Sequence, residues 1–91
     1  MKINYKIKFS EGFHSRPALE LIDLSKENKE LNIRITKINE IEQDIPCKNL
    51  IAILKANIEY GNDIEITYED SNKNEMIYKK LNRIFNGNYG M

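Results

Sequence analysis

Apolar residues in this 91-residue chain follow two different spacings, and the order in which these spacings alternate restricts the folds that the chain can adopt. In residues 3–9 every second side chain is apolar, from Ile3 to Phe9, which predicts a strand with one buried face. In residues 16–28 the spacing changes to three and four residues, through Leu21 and Ile22, which predicts an amphipathic helix. The chain therefore begins with a strand followed by a helix.

The same two spacings recur and predict the remaining elements. We expect strands at residues 32–38, 41–45 and 63–68, a short helix at residues 50–56, and a final helix that opens with the capping box Asn72-x-x-Glu75 and ends at Gly87. Asn49 is a good N-cap for the short helix, and Asn57 can end it in the left-handed conformation. The acidic strand at residues 41–45 is expected at the edge of the sheet.

Four strands with their helices on one face form a two-layer, open-faced sandwich. The predicted fold class is therefore α+β, in a single domain over residues 1–91 whose last four residues, 88–91, are a frayed tail.

Composition excludes several classes of function. The net charge is zero, and residues 1–37 carry eight Lys and Arg against five Asp and Glu, too small an excess for a nucleic-acid-binding surface. Cys47 is the only cysteine, so we expect a buried, reduced thiol and no disulfide. The longest apolar run, Leu50 to Leu54, is too short to cross a membrane, and we see no signal peptide. The sequence predicts a cytoplasmic protein that needs no metal and no cofactor.

The only histidine lies in the segment GFHSRPA (residues 12–18), where the first strand gives way to the first helix. A helix N-terminus presents backbone N–H groups without intrahelical partners and the positive end of the helix dipole, and together these bind anions such as phosphate. Pro17 suits the first helical turn because its missing N–H is no loss there, and Arg16 offers a guanidinium to phosphate oxygens. We therefore predict that His14 carries a phosphoryl group, with the N–H groups of Ser15 and Arg16 as donors to its oxygens.

The helix N-terminus and Arg16 both disfavour a second positive charge, so we expect the His14 imidazole to be mostly neutral at cellular pH. A neutral ring can attack phosphorus, and its nitrogen that faces the helix start is the expected nucleophile. The alternative interpretation of His14 is an ordinary surface histidine, which is the more frequent case in small domains.

These residues and the order of the elements resemble HPr, the histidine-containing phosphocarrier of the bacterial sugar phosphotransferase system (PTS). The pattern Gly-x-His-x-Arg-Pro-Ala and the segment KNLIAIL (residues 48–54) are similar to the family's phosphorylation loop and second helix. The resemblance implies a four-stranded antiparallel sheet with three helices on one face (βαββαβα), in a monomer without enzymatic turnover of its own. It also implies that His14 accepts a phosphoryl group from Enzyme I, which phosphoenolpyruvate phosphorylates, and passes it to sugar-specific EIIA components. In this resemblance Arg16 stabilises the phosphate and Pro17 starts the helix.

The resemblance further implies a surface that docks partner proteins. Leu50, Ile51 and Leu54 match the family's exposed apolar patch, and Leu19 lies beside the site. Judged by their spacing, the three residues of the short helix could also be core residues. A helix this short cannot bury every side, so we expect Ile53 in the core and at least two of the other three exposed.

Three positions depart from the family's pattern. Phe13 and Leu19 are larger than the residues usual there, and both are expected beside the site, where they affect the fit of partners. Asn49 takes the place of a serine that a regulatory kinase phosphorylates in many Gram-positive relatives. Because Asn has no hydroxyl, we expect no such regulation at this position.

Two other functions remain open at this point. The departures at Phe13, Leu19 and Asn49 leave room for a regulatory binding module of the same fold, in which phosphorylation is a signal or vestigial. A third class, a module that binds a ligand or RNA on its open sheet face, is disfavoured. That face is expected to carry Lys, Asn, Glu and Thr rather than aromatic side chains that stack on bases.

Overall fold

The computed structural model describes residues 1–38, 43–47 and 49–86, and these residues follow the predicted order of elements. The elements are β1 (Lys2–Lys6), α1 (Ser15–Glu27), β2 (Arg34–Ile38), β3 (Gln43–Pro46), α2 (Leu50–Lys55), β4 (Asp63–Thr67) and α3 (Asn74–Phe85). A 3-10 turn, Lys29–Leu31, connects α1 to β2. The α+β fold class is confirmed.

The strands form one antiparallel sheet in the order β1-β4-β2-β3. A row of isoleucines crosses all four strands, because Ile3 pairs with Ile66, Ile66 with Ile35, and Ile35 with Ile45. Ile35 and Ile66 are fully buried. Since β3 is the last strand of this order, its predicted position at the sheet edge is confirmed.

The three helices supply the other half of the core. In α1 the buried residues include Ala18, Leu21 and Ile22, at the spacing that predicted the helix, and in α3 they include Ile77 and Leu81. Burying one Leu or Ile side chain stabilises the fold by about 1.5–3 kcal/mol. The amphipathic patterns of α1 and α3 therefore fix which side of each helix packs inward.

Strand β1 ends earlier than predicted. Its ladder with β4 stops at Lys6, and Ile7 then bonds to a turn: its N–H donates to the Asn62 carbonyl and its carbonyl accepts from the Gly61 N–H, both at 2.8 Å. The expected strand over residues 3–9 is thus wrong beyond Lys6. Ile7 and Phe9 are nevertheless buried, because the turn keeps their side chains on the core side.

The predicted capping box at Asn72 and Glu75 is also wrong. Helix α3 begins at Asn74, and its N-cap is Lys73, whose side chain makes no capping hydrogen bond. The Ser71 Oγ accepts from the Lys73 N–H, and the Asn74 Oδ1 accepts from the Ser71 N–H, both at 3.0 Å. These two side-chain bonds hold the turn before α3, and they differ from a capping box, in which the hydroxyl accepts from the N–H three residues further on.

Some expectations concern parts of the chain outside the described residues. These are the turn at residues 39–40, the start of the third strand at residues 41–42, the end of the last helix at Gly87 and the tail at residues 88–91.

Cys47 is completely buried, as expected, and burial raises the pKa of its thiol to about 12. In the described parts of the chain, no helix has the length and apolar character needed to cross a membrane. The same residues contain no cluster of His, Cys, Asp or Glu that could hold a metal ion.

Candidate functional site

His14 is the N-cap of α1, with its backbone in the extended conformation and its side chain partly exposed. The Ala18 N–H donates to the His14 carbonyl at 3.2 Å, which makes this the first hydrogen bond of the helix. The N–H groups that precede it therefore lie at the start of the helix, directly after His14 in the chain, and the His14 side chain makes no capping hydrogen bond. Ser15 and Arg16 are exposed on the first turn, and Pro17 is buried as its third residue. The structure thus brings together the four residues that the sequence singled out.

Gly12 allows the loop before His14 to pass close to another loop. Its φ is +75°, and a Cβ at this position would lie 2.6 Å from the Ile58 carbonyl oxygen. That oxygen accepts a hydrogen bond of 2.8 Å from the Phe13 N–H, and the His14 N–H donates to the Gly12 carbonyl at 2.9 Å. The backbone that carries His14 is therefore held against Ile58 by both packing and hydrogen bonding.

The loop that contains Ile58 is itself anchored to the sheet. The Lys37 Nζ of β2 donates to the carbonyl oxygens of Ala56 at 3.1 Å and Asn57 at 2.9 Å, where α2 ends. Asn57 has a φ of 53°, which confirms the predicted left-handed end of this helix. Sequence reasoning missed Lys37, although a signal was present. Its position two residues after Ile35 places a cation on the face of β2 that packs against the helices.

The three phenylalanines of the chain lie in one row of aromatic rings beneath His14. The Phe9 ring is perpendicular to the imidazole, with ring centroids 5.9 Å apart, and is 6.3 Å from the Phe13 ring. Phe13 stacks on Phe85 of α3 at 5.4 Å, and Phe85 stacks on Tyr5 of β1 at 4.6 Å.

This row corrects the expectation for Phe13. Its ring is buried in the core against Phe85, so it does not contribute to the surface that a partner would contact. The larger side chain fills the space between the loop and α3. Phe9 was predicted only as a core residue of the first strand, and its contact with His14 could not be read from spacing because the chain turns between the two residues.

The short helix α2 presents an apolar surface. Ile51 is 61% exposed, Leu54 is 43% exposed and Leu19 of α1 is 47% exposed, whereas Leu50 is partly buried and Ile53 is buried. This confirms that Ile53 is the core residue and that two of the other three are exposed. We call Leu19, Leu50, Ile51 and Leu54 the apolar patch. The Asn49 Oδ1 accepts from the Ile51 N–H at 2.8 Å, which confirms Asn49 as the N-cap of α2.

Comparison with known proteins finds a matching family. Residues 1–86 match the sequence model of a family described as "PTS HPr component phosphorylation site". No curated protein sequence matches the chain significantly.

Solved structures of histidine-containing phosphocarriers share the fold. The histidine-containing phosphocarrier protein of a Mycoplasma is 26% identical with a TM-score of 0.66, over 92% of this chain and 90% of that chain. HPr-C-His from Thermoanaerobacter tengcongensis is 19% identical with a TM-score of 0.66, over the same shares of the two chains, 92% and 90%. The phosphocarrier protein HPr from Bacillus anthracis is 20% identical with a TM-score of 0.60, over 88% of this chain and 90% of that chain.

Proposed function

Since this chain belongs to the HPr family of phosphocarriers of the bacterial phosphotransferase system, we propose that it carries a phosphoryl group on His14. The donor in this proposal is the phosphorylated form of Enzyme I, and the acceptors are sugar-specific EIIA components in the cytoplasm. Members of the family are carriers rather than enzymes with their own turnover, so the phosphohistidine is an intermediate in a transfer chain.

The observation that carries the proposal is the position of His14. The partly exposed His14 is the N-cap residue of a 13-residue helix, two residues before the exposed Arg16. The N–H groups at a helix start and the adjacent helix dipole favour the negative charge of a phosphoryl group. Ser15 and Arg16 then donate through their backbone N–H groups, and the Arg16 guanidinium adds a charge-assisted donor.

The transfer itself is an in-line displacement at phosphorus. The lone pair of one imidazole nitrogen forms the new N–P bond while the bond from phosphorus to the donor breaks, and its electron pair leaves with the donor. The other ring nitrogen keeps its proton. Passing the group to an acceptor repeats the step with His14 as the leaving group.

The modest strength of the site suits a carrier. An anion near an exposed helix N-terminus gains about 0.3–1 kcal/mol from it. A stronger site would hold the phosphoryl group too tightly to surrender it. Most of the rate acceleration therefore comes from the partner enzymes, which position the reacting groups and stabilise the charge at phosphorus.

The apolar patch is the proposed docking surface for these partners. It is shallow, with Ile51, Leu54 and Leu19 exposed on two helices that pack against each other. A shallow apolar surface can contact partners of different shape with moderate affinity, and brief contact is what a shuttle needs.

Intact-mass measurement tests the proposal. The protein is incubated with phosphoenolpyruvate and catalytic Enzyme I, and we expect a gain of one acid-labile phosphoryl group that is absent in His14→Ala. After phosphoenolpyruvate and Enzyme I are removed, adding an EIIA protein should return the carrier to its unmodified mass. Gain without onward transfer would favour the regulatory module instead, and no gain at all would contradict the proposal.

A further inference from the structure

We propose that Phe9 is a positioning residue for His14, because its buried ring holds the imidazole in the orientation from which it receives the phosphoryl group. The proposal rests on the proposed function and deepens it, since it names a residue that sets the transfer rate without contacting the partner. Neither the spacing of the sequence nor its resemblance to the family points to this contact.

The contact between the two rings is direct. The centroids of Phe9 and His14 are 5.9 Å apart and the ring planes are at 85° to each other, which is the T-shaped arrangement that aromatic pairs favour. Phe9 is buried, whereas His14 is partly exposed. One side of the imidazole is therefore in contact with a ring of the core.

The backbone of His14 is held by hydrogen bonds, so the orientation of its ring depends on its side-chain torsions. The His14 carbonyl accepts from the Ala18 N–H, the His14 N–H donates to the Gly12 carbonyl, and the preceding Phe13 N–H donates to the Ile58 carbonyl. Rotation about the bonds from Cα to the ring still decides where each nitrogen points. Phe9 limits that rotation, because a ring that turned away would lose the T-shaped contact.

Phe9 can do this because it cannot move easily itself. Its ring lies 6.3 Å from Phe13, which stacks on Phe85 with an angle of 12° between the planes. Phe85 stacks on Tyr5, whose hydroxyl donates to the Asn82 Oδ1 at 2.6 Å. The row thus connects the imidazole to β1 and α3, two elements that a partner bound at the apolar patch need not displace.

The test compares two substitutions of the same kind. Phe9→Leu removes the ring that contacts His14, and Phe85→Leu removes an equally buried ring that stacks on Phe13 and Tyr5. We expect Phe9→Leu to lower kcat for phosphoryl transfer from Enzyme I by about 2- to 10-fold, the range that corresponds to the loss of one aromatic pair. The KM for the carrier should stay unchanged because Phe9 is buried. Phe85→Leu should lower the unfolding midpoint by about as much as Phe9→Leu does. It should leave kcat within about 2-fold of wild type.

A second readout does not depend on phosphorylation. His14 is the only histidine, so its ring protons give a single set of NMR signals. In the wild type we expect nuclear Overhauser contacts between the Phe9 and His14 rings and a χ1 coupling typical of one rotamer. In Phe9→Leu the ring signals should shift and the coupling should average over rotamers, while Phe85→Leu keeps the wild-type coupling.

The outcomes separate this inference from the proposed function. If the wild type accepts no phosphoryl group, the proposed function fails, and with it the inference about the transfer rate. If the wild type is phosphorylated but Phe9→Leu keeps both its kcat and its χ1 coupling, the inference alone is overturned. Equal losses of kcat in both variants would also overturn it, because they would show a general effect of a looser core. Should Phe9→Leu fail to fold, the absence of ring contacts in the wild type would still refute it.

Discussion

At the scale of single residues, the site depends on a few positions whose side chains cannot be exchanged for physical reasons. Gly12 and Gly61 both have a positive φ, at +75° and +86°, but their surroundings differ. A Cβ at Gly12 would be 2.6 Å from the Ile58 carbonyl oxygen, whereas a Cβ at Gly61 has open space around it. Substitutions at the two glycines therefore separate the effect of backbone strain from the effect of a steric clash.

We predict that Gly12→Ala lowers the free energy of unfolding by roughly 2–4 kcal/mol and Gly61→Ala by about 1 kcal/mol. The first substitution adds a clash with backbone to the strain of the left-handed conformation, and the second adds the strain only. Urea unfolding of the two variants measures the difference. Equal losses would show that the loop of His14 is not pressed against Ile58.

Cys47 is predicted to be inert in the folded protein. Burial raises the pKa of its thiol to about 12, so almost no thiolate is present at pH 8. Alkylation of the native protein at pH 8 should therefore proceed only as fast as the protein opens, while the denatured protein reacts at the rate of an ordinary thiol. Rapid alkylation under native conditions would contradict the burial of this side chain.

At the scale of elements, the short helix α2 relies on its two ends. Six residues form few internal hydrogen bonds, so the Asn49 cap at its start and the Lys37 ammonium at its end contribute a large share of its stability. The helix carries three of the four residues of the apolar patch and leads at its C-terminal end into the Ile58 loop. Its termini therefore affect both the docking surface and the support of His14.

Removing the cap should be measurable as a loss of stability. We predict that Asn49→Ala lowers the free energy of unfolding by about 1 kcal/mol, because the Ile51 N–H loses its acceptor. Asn49→Ser is the matched control, since a serine hydroxyl can accept the same bond and should leave stability near wild type. A serine variant as unstable as the alanine variant would mean that capping is not what Asn49 contributes.

Lys37 offers a test of whether the loop before His14 depends on the loop that contains Ile58. Lys37→Met keeps the aliphatic stem but removes both bonds to the Ala56 and Asn57 carbonyls. We predict faster hydrogen exchange at the Phe13 amide, which donates to the Ile58 carbonyl, and little change in the central strand β4. Lys37→Arg should restore slow exchange. Unchanged exchange at Phe13 in Lys37→Met would show that the two loops are independent.

The elements also show what sequence patterns can and cannot predict. Period-two alternation located β1, β2 and β4, and the three-to-four spacing located α1 and α3, because burial of one face produces those patterns directly. The ends of the elements were harder. β1 stops at Lys6 because Ile7 bonds to the turn at Gly61, a contact between residues far apart in the chain. β2 begins late because Asn32 adopts the left-handed conformation after a 3-10 turn.

The candidate site likewise contains residues that the sequence predicted and residues that it did not. His14, Arg16 and Pro17 were predicted from local chemistry at a helix start, which needs no knowledge of the tertiary fold. Phe9 and Lys37 were missed because their contacts to His14 and to the end of α2 arise only when the chain has folded. A buried aromatic ring and a lysine in a strand are each explained equally well by other roles.

At the scale of the whole molecule, one part supports the site and another part presents it. The sheet and α3 form the apolar support, and the surface above it carries the loop of His14 and the apolar patch. Within this support the sheet meets α3 at Tyr5, which stacks on Phe85 and donates to the Asn82 Oδ1 at 2.6 Å. The ionisation of Tyr5 therefore reports on the integrity of the support.

Stability is predicted to fall at high pH. Burial, together with Tyr78 and Tyr68 nearby, raises the pKa of Tyr5 from its usual 10.0 to about 12. In the unfolded chain the phenol loses its proton first, so the stabilisation is present below pH 10 and is lost as the pH rises towards 12. Unfolding midpoints measured between pH 8 and about pH 11 should decline less steeply in Tyr5→Phe than in wild type. Identical slopes would contradict a protected Tyr5.

The central claim is that a phosphoryl group on His14 is held by the start of α1, and NMR of the phosphorylated protein tests it most directly. With uniform nitrogen-15 labelling, we expect phosphorus coupling to a single imidazole nitrogen and a downfield shift of the Ser15 and Arg16 amide protons as they donate to phosphate oxygens. Both signals should vanish when mild acid removes the group. Phosphorylation at any other residue, or amide protons at the helix start that do not respond, would contradict the account.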